Sequence, residues 1–227
     1  MFRYALPFLL ICSLQGFAQE GHFSVNNLSK RYDVELRLTG LDSDIWKGKV
    51  QVSVFNKNQK KPFQTFYQKS TYIDTKPTFT TTADKANGKW SDLYIEDLNF
   101  DGFEDIAVPD GLNGGYSSLS YQVYLFDPQK QKFVFNAPIT RLAHGVYMGI
   151  PVPDRSKKTL SVFWKETCCE HFRETYKLVN GRTKMIAKIS EYYNPLNDQG
   201  YEVTQTEKLI NGKWRTWTKR KKIEKEN

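Results

Sequence analysis

A nine-residue stretch at 97–105 (DLNFDGFED) carries oxygen-bearing side chains at its first, third, fifth and ninth positions and a glycine at its sixth. Calcium ions take about six to eight oxygen ligands, and a coiling loop turns alternate side chains towards one centre. A glycine at the sixth position permits the sharp turn that a Cβ would resist. The spacing predicts a Ca²⁺ loop whose ligands include one backbone carbonyl: Asp97, Asn99, Asp101, Phe103 and Asp105.

The loop differs from an EF-hand in its twelfth position and in its flanks. Val108 stands where an EF-hand carries a bidentate Glu. The short apolar runs 93–95 and 106–108 have the composition of strands, so the loop is expected to join two strands. The alternative is a polar turn held only by side-chain-to-backbone hydrogen bonds, because Asp, Asn and Gly are common in turns of every kind.

A second candidate segment at 109–121 (PDGLNGGYSSLSY) is rich in glycine and serine and leads into a strand. It lacks the Lys-Ser/Thr pair of a phosphate-binding loop and does not open a helix. A loop of this kind can project small hydroxyl groups and an aromatic ring from a firm base, here a metal-stiffened turn. The default alternative is an ordinary inter-strand loop.

Alternating apolar residues predict that strands position both segments. The chain is 15% aromatic, and apolar residues alternate in runs such as 32–38 and 50–54. Asn-Gly pairs at 180–181 and 211–212 are typical of tight hairpins, because both residues tolerate positive φ. The predicted fold class is all-β.

Strand–turn segments also recur, which indicates a repeated β unit. KLVNGR at 177–182 resembles KLINGK at 208–213. A closed ring of such units leaves few exposed strand edges. At about forty residues per four-stranded blade, residues 19–219 are predicted to form one domain, a small β-propeller of about five degenerate blades. A β-sandwich or an irregular barrel is the alternative.

Residues 1–18 have the features of a secretory signal peptide. One positive charge, Arg3, precedes a short apolar run at 5–11, and the small-x-small residues 16–18 offer a cleavage site. Cys12 loosely suggests a lipoprotein signal, but Ile11 before it fits poorly, so lipidation is the second interpretation. No later segment is apolar enough to span a membrane.

The formal net charge is +8, and removing Arg3 with the signal peptide leaves +7. Much of this excess lies in the run KRKK at 219–222. For an exported protein, such a charge favours an anionic envelope surface or an acidic protein partner over nucleic acid. Residues 220–227 are interpreted first as a solvated, partly disordered basic tail.

Two neighbouring cysteines, Cys168 and Cys169, remain after residue 18. They cannot link distant parts of the chain, although a vicinal disulfide can form in an oxidising compartment. Glu170 and His171 follow directly, but no fourth ligand lies nearby in the sequence, so a zinc site is disfavoured. Buried or vicinally paired cysteines are the preferred interpretation.

No catalytic motif is present, and the chain is not expected to be an enzyme. There is no Gly-x-Ser-x-Gly elbow and no His-Glu-x-x-His pair. The histidines, His22, His144 and His171, are scattered in unlike surroundings.

Four segments together resemble a family of bacterial envelope proteins: 97–105, the glycine-rich loop after it, 121–128, and 168–181 with its CCEH run. The family comprises calcium-binding β-propeller immunity proteins that act against peptidoglycan-hydrolase toxins delivered by type IV secretion systems. The resemblance spans roughly residues 49–186, and the N-terminal third shows no specific match. The calcium-loop spacing alone is less specific, since FG-GAP propellers share it.

The resemblance implies a periplasmic protein that binds a peptidoglycan-hydrolase toxin or lysozyme. Family members carry a Ser-Gly/Ser-x-x-Tyr loop like that of periplasmic lysozyme inhibitors, in which the Ser and Tyr contact the catalytic carboxylates. The run SSLSY at 117–121 fits this form. Calcium would hold the loop in its bound shape. The implied partner-binding residues are Gly114, Gly115, Ser117, Ser118 and Tyr121.

A second function class is a calcium-stabilised adhesion or carbohydrate-binding propeller of the cell envelope. An exposed cluster formed by Trp164, Trp214 and Trp217 would favour it, because aromatic rings stack on sugars.

Overall fold

Alternating apolar residues build strands with one buried face along most of the chain. In the computed structural model, which describes residues 19–79, 91–196 and 199–222, strand β2 buries every second residue from Tyr32 to Leu38. The predicted signal peptide lies outside the described residues. The strands before residue 80 are β1 (Glu20–Val25), β2 (Tyr32–Thr39), β3 (Leu41–Asp42), β4 (Ile45–Trp46), β5 (Val50–Asn56), β6 (Gln64–Gln68) and β7 (Ile73–Asp74).

The second half of the chain carries the candidate segments and a long antiparallel sheet. A 3₁₀ turn (Gly115–Ser117) follows β9, and a five-residue helix α1 (Ala137–Arg141) follows β11. The strands are β8 (Tyr94–Glu96), β9 (Asp105–Gly111), β10 (Ser120–Asp127), β11 (Lys132–Phe135), β12 (Val152–Asp154), β13 (Thr159–Lys165), β14 (Glu170–Val179), β15 (Arg182–Leu196), β16 (Gln199–Ile210) and β17 (Lys213–Lys222).

The described strands form four antiparallel sheets. Their orders are β1-β2-β5-β6, β11-β10-β9-β8, β12-β13-β14-β15-β16-β17 and the small β3-β4-β7. The all-β prediction is confirmed. Within the described ranges none of the four sheets closes on itself, and a ring of five blades is not shown.

The middle sheet is buried on both faces, and this decides the position of both candidate segments. Ile106 and Val108 of β9 join a core shared with the first sheet. Ala107, between them, joins a second core that includes Ile139 of α1 and Leu160 of β13. Strand β9 is therefore fixed between two cores, and the segments at its ends project from a rigid base.

The two Asn-Gly hairpins occur where they were predicted. Asn180 and Gly181 join β14 to β15, and Asn211 and Gly212 join β16 to β17, all with positive φ. Strand β17 runs past the predicted domain boundary at 219, so residues 220–222 pair with β16.

Candidate functional site

The loop at 97–105 coils around its own first carboxylate. Asp97 Oδ1 accepts hydrogen bonds from the N–H groups of Phe100 (2.7 Å) and Asp101 (3.2 Å), and Oδ2 accepts from Gly102 (3.0 Å). Phe100 and Gly102 both have positive φ, +65° and +88°, which lets the backbone turn sharply enough to present these N–H groups. The predicted sharp turn at Gly102 is present.

The next two predicted ligands take part in the same coil. Asn99 Oδ1 accepts from the N–H of Asp101 (3.1 Å), and its amide donates to Asp101 Oδ2 (2.8 Å). Asp101 Oδ1 accepts from the N–H of Phe103 (2.8 Å). The oxygens of the first, third and fifth positions thus all bond within one small turn, as the alternate spacing requires.

Asp105 joins this turn to the core. It is fully buried, and its two oxygens accept from the N–H groups of Leu98 (2.8 Å) and Phe126 (2.9 Å). Burial raises the pKa of Asp105 to about 8, and the negative charges of Asp101 and Asp97 add to this effect, although both hydrogen bonds oppose it. Asp105 is therefore a buried carboxyl group that lies near two further acids, Asp97 and Asp101.

Two neighbouring contacts were not predicted from the sequence. Ser29 Oγ donates to Glu104 (2.5 Å), and Arg155 forms an ion pair with the buried Glu96 just before the loop. Both partners come from distant parts of the chain, so sequence spacing offered no signal for either. Among the described residues, no three acidic, histidine or cysteine side chains converge closely enough to hold a metal by themselves.

The two candidate segments lie at opposite ends of β9. The acidic loop enters the strand at Asp105, and the glycine-rich loop leaves it at Gly111, about 20 Å further along at the usual rise of a strand. The sequence suggested that they were adjacent, with the metal directly stiffening the second loop. The extended strand β9 separates the two loops in space, so they are not adjacent, and the stiffening of the second loop by an ion stays a prediction.

Backbone contacts with residues 144–148 hold the glycine-rich loop instead. The N–H of Gly115 donates to the carbonyl of Tyr147 (2.9 Å), and the N–H of Gly145 donates to the carbonyl of Asn113 (2.9 Å). A Cβ on Gly115 would lie 2.2 Å from the carbonyl oxygen of Val146, and one on Gly114 would lie 2.8 Å from that of Tyr147. Both predicted glycines are therefore needed for close backbone approach, rather than for contact with a partner.

The side chain that the loop presents to solvent is Tyr116. It is 56% exposed, its ring lies 4.4 Å from Lys165 Nζ, and its hydroxyl donates to the carbonyl of Glu166 (2.6 Å). Leu112 and Val146 are also exposed, on the two segments that contact each other. We call these three residues, with the exposed Ser117, the loop patch.

Tyr121 does not belong to this patch, which corrects the prediction from the Ser-x-x-Tyr pattern. Its side chain is fully buried, packs against Tyr94 at 5.4 Å between ring centroids, and donates its hydroxyl to the carbonyl of Ser91 (2.8 Å). The side-chain oxygen of Ser118 is buried as well. Of the predicted partner-binding hydroxyl groups, the structure leaves only that of Ser117 at the surface.

A polar cluster anchors the base of the loop. Asp110 accepts from Ser120 Oγ with one oxygen, and its other oxygen lies 2.8 Å from His144 Nε2. The hydrogen bond to Asp110 raises the pKa of His144, against the effect of burial. Burial alone would raise the pKa of Asp110, but the bonds from His144 and Ser120 outweigh it and hold that pKa below its usual value.

The order of the hydrogen-bonded groups in this cluster differs from that of a catalytic triad. In a catalytic triad the histidine lies between the serine and the acid and takes the proton of the hydroxyl group. Here Asp110 lies in the middle, and His144 Nδ1 contacts the carbonyl of Thr140 (2.8 Å). Ser120 is fully buried. The arrangement ties the loop to residues after α1 and performs no chemistry of that kind.

The vicinal cysteines form a disulfide at the exposed turn between β13 and β14. Of the two preferred alternatives, burial and vicinal pairing, the structure therefore shows pairing. The same turn supplies Glu166, whose carbonyl holds Tyr116, so the disulfide lies beside the loop patch.

The exposed tryptophans do not cluster. Trp214 and Trp217 are 43% and 50% exposed, but their positions in β17 put them on opposite faces of the sheet. Trp164 stacks on Phe172 with 3.8 Å between ring centroids.

One solved structure similar to this chain is described as that of a Xanthomonas type IV secretion system related protein. The two chains superpose with a TM-score of 0.68 and are 23% identical, and the match covers 87% of this chain and 93% of the other. This likeness establishes a shared fold. No family model and no curated protein sequence matches the chain. Among the described helices, none has the length and apolar character needed to cross a bilayer.

Proposed function

We propose that this protein is an envelope inhibitor, or immunity protein, that binds a peptidoglycan hydrolase of the lysozyme type and blocks its active cleft. The observation that carries the proposal is the loop patch: a strained, glycine-dependent loop presents Tyr116 and Ser117 to solvent from a strand fixed between two cores. The likeness to a protein related to a type IV secretion system supports the same context.

Blockade follows from the chemistry of the patch and of the target. Glycoside hydrolases place two carboxylic groups around the scissile bond. The Ser117 hydroxyl is able to donate to such a carboxylate. The Tyr116 hydroxyl would donate to the second one by exchanging its bond to the Glu166 carbonyl for a bond to the target, and the exposed Leu112 and Val146 add apolar contact surface. Tyr116 takes the role that the sequence pattern assigned to Tyr121.

Preorganisation supports tight binding. Tyr116 and Ser117 both hold φ of +54°, a conformation that costs free energy in a free loop and that the contacts with residues 144–148 impose here. A loop that is already ordered loses less entropy when it binds.

We further propose that Ca²⁺ binds the loop at 97–105 and stabilises the N-terminal end of β9, which is the end opposite the glycine-rich loop. Asp97, Asn99, Asp101 and Asp105 would supply side-chain oxygens, and Phe103 its carbonyl. These residues have the ligand chemistry of a hard cation, because two carboxylates and an amide oxygen lie in one turn and a buried acid lies at its end. When bound, the ion would supply positive charge for that buried acid.

Calcium binding has a direct thermal test. Ca²⁺ at about one hundred times its Kd is expected to add about 2.7 kcal/mol to the free energy of unfolding, and so to raise Tm, whereas Asp101→Ala should remove this rise. Chelator should bring the wild-type protein to the Tm of the variant. A wild-type Tm that does not respond to Ca²⁺ would exclude the metal site.

Inhibition is tested by measuring peptidoglycan hydrolysis by a C-type lysozyme, and by any hydrolase encoded next to this protein, with increasing amounts of the wild-type protein. Tyr116→Ala should weaken inhibition at least tenfold, because it removes the largest exposed side chain of the patch. The control is Tyr67→Ala, which removes an equally large, 72% exposed side chain from β6. Full inhibition by the Tyr116 variant, or none by the wild type, would refute the proposed mechanism.

A further inference from the structure

Strand β17 concentrates the positive charge of the molecule. Its ten residues include six lysines and arginines and no acid, so subtracting these six from the net charge of +8 leaves +2 for the rest of the chain. Every one of the ten residues is exposed. The strand is also the last of its six-stranded sheet, and within the described residues it pairs only with β16.

Protection against aggregation does not account for the exposed tryptophans of this edge. Lysines on an edge strand commonly prevent two sheets from pairing. Such protection has no need of Trp214 and Trp217, which expose large apolar rings on the same strand. Cationic side chains combined with tryptophan are instead typical of surfaces that meet the boundary between lipid headgroups and acyl chains.

We propose that β17 is a docking edge for a bilayer that contains anionic phospholipids. An edge-on approach brings both rows of side chains of β17 towards the surface, so the two tryptophans can reach the interface although they lie on opposite faces. Ten residues extend for about 30 Å, which suits a flat, continuous surface. Phosphate headgroups complement the six cations.

The same geometry argues against single-stranded nucleic acid as the partner. Successive bases stack on aromatic rings that line one groove. Trp214 and Trp217 face away from each other, so they do not form such a platform. This proposal is independent of hydrolase inhibition, because the loop patch contributes nothing to it.

Vesicle sedimentation with the full chain tests the proposal. The protein should bind vesicles of phosphatidylcholine mixed with phosphatidylglycerol, should bind pure phosphatidylcholine far more weakly, and should dissociate as salt is raised. The salt titration needs no variant, so misfolding cannot confuse it. Equal binding to both vesicles, or binding to neither, would overturn the proposal.

Variants then locate the binding edge. Changing Lys219, Arg220 and Lys222 to Gln should lower the partition coefficient about a hundredfold, at about fivefold per cation. Lys221 is retained because its Nζ lies 3.6 Å from Glu202. The matched control changes three exposed lysines outside β17, Lys60, Lys61 and Lys132, to Gln.

Comparing vesicle binding by the β17 variant and by the control variant decides whether β17 is the docking edge. Loss in the β17 variant with retention in the control supports the docking edge, provided that both keep the wild-type circular dichroism spectrum. An equal loss in the two variants would mean that net charge alone attracts the vesicles, and no loss in the β17 variant would mean that this edge is not the binding surface; either result would overturn the proposal. So would a single-stranded oligonucleotide that binds β17 more tightly than the anionic vesicles do.

Discussion

The two loops at the ends of β9 are built in opposite ways. The acidic loop at 97–105 is closed mainly by bonds among its own residues, with Asp97 accepting from N–H groups three to five positions later. The glycine-rich loop is shaped by residues that lie far along the chain, at 144–148 and 166. The spacing of residues in the sequence predicts a loop that is closed by bonds between near neighbours. It does not predict a loop whose partners lie far along the chain.

The two loops also differ in whether their side chains bond inside the fold or face solvent. Asp105 connects the acidic loop to Leu98 and Phe126 inside the fold, so that loop contributes to stability. The glycine-rich loop exposes its largest side chain, Tyr116, to solvent. Its backbone hydrogen bonds hold Tyr116 and Ser117 at positive φ. One end of β9 therefore contributes bonds to the interior of the fold, and the other exposes the side chains that the proposed inhibition would use.

The largest expected effect on the free energy of unfolding is at Asp105, the buried residue of the acidic loop. Asp105→Ala leaves the buried N–H groups of Leu98 and Phe126 without an acceptor, and should lower the free energy of unfolding by about 3 kcal/mol or more. Urea unfolding in chelator measures this without any contribution from metal. Asp105→Asn keeps one acceptor oxygen and should lose less. A loss below about 1 kcal/mol for the alanine variant would show that Asp105 does not anchor the loop.

A pair of glycine variants separates the two loops directly. Gly115→Ala places a Cβ 2.2 Å from the Val146 oxygen, so the loop must move, at a cost of about 2 kcal/mol. Gly102→Ala has open space around its Cβ but a φ of +88°, so it should cost about 1 kcal/mol in backbone strain alone. The free energies of unfolding come from urea titrations of both variants.

Binding distinguishes these variants more sharply than stability does. Only Gly115→Ala should weaken inhibition of a peptidoglycan hydrolase, because only that change displaces Tyr116. If Gly102→Ala weakens inhibition equally, strand β9 transmits changes between the two loops, and the two loops do not act independently.

The smallest effect is the pH dependence of the bond between Asp110 and His144. A raised pKa for His144 contributes stability that is complete below about pH 6.5 and is lost as pH rises through the raised value. A lowered pKa for Asp110 contributes stability that is complete above about pH 3.9 and is lost as pH falls through the lowered value. The pair thus stabilises the loop base most between these limits.

His144→Gln tests this contribution. The wild-type free energy of unfolding should fall more than that of the variant as pH rises from about 6.5 through the raised pKa of His144. Unfolding by urea at several pH values measures the difference. Parallel curves for the two proteins would show that the ion pair adds nothing to stability.

Local patterns in the sequence sufficed for the all-β class, the two Asn-Gly hairpins and the turn at Gly102. Each depends on residues a few positions apart, whose preferred backbone conformations act whatever the rest of the chain does. The pairing of Cys168 with Cys169 has the same local origin.

Tertiary structure alone decided which tyrosine faces solvent. Tyr116 and Tyr121 lie five positions apart in one polar segment, and spacing favoured Tyr121, yet strand β10 turns Tyr121 into the core beside Tyr94. The distance between the two loops was decided in the same way, by the extended length of β9. Burial and separation in space depend on contacts with distant residues, such as Ser91, Val146 and Glu166, which no local pattern encodes.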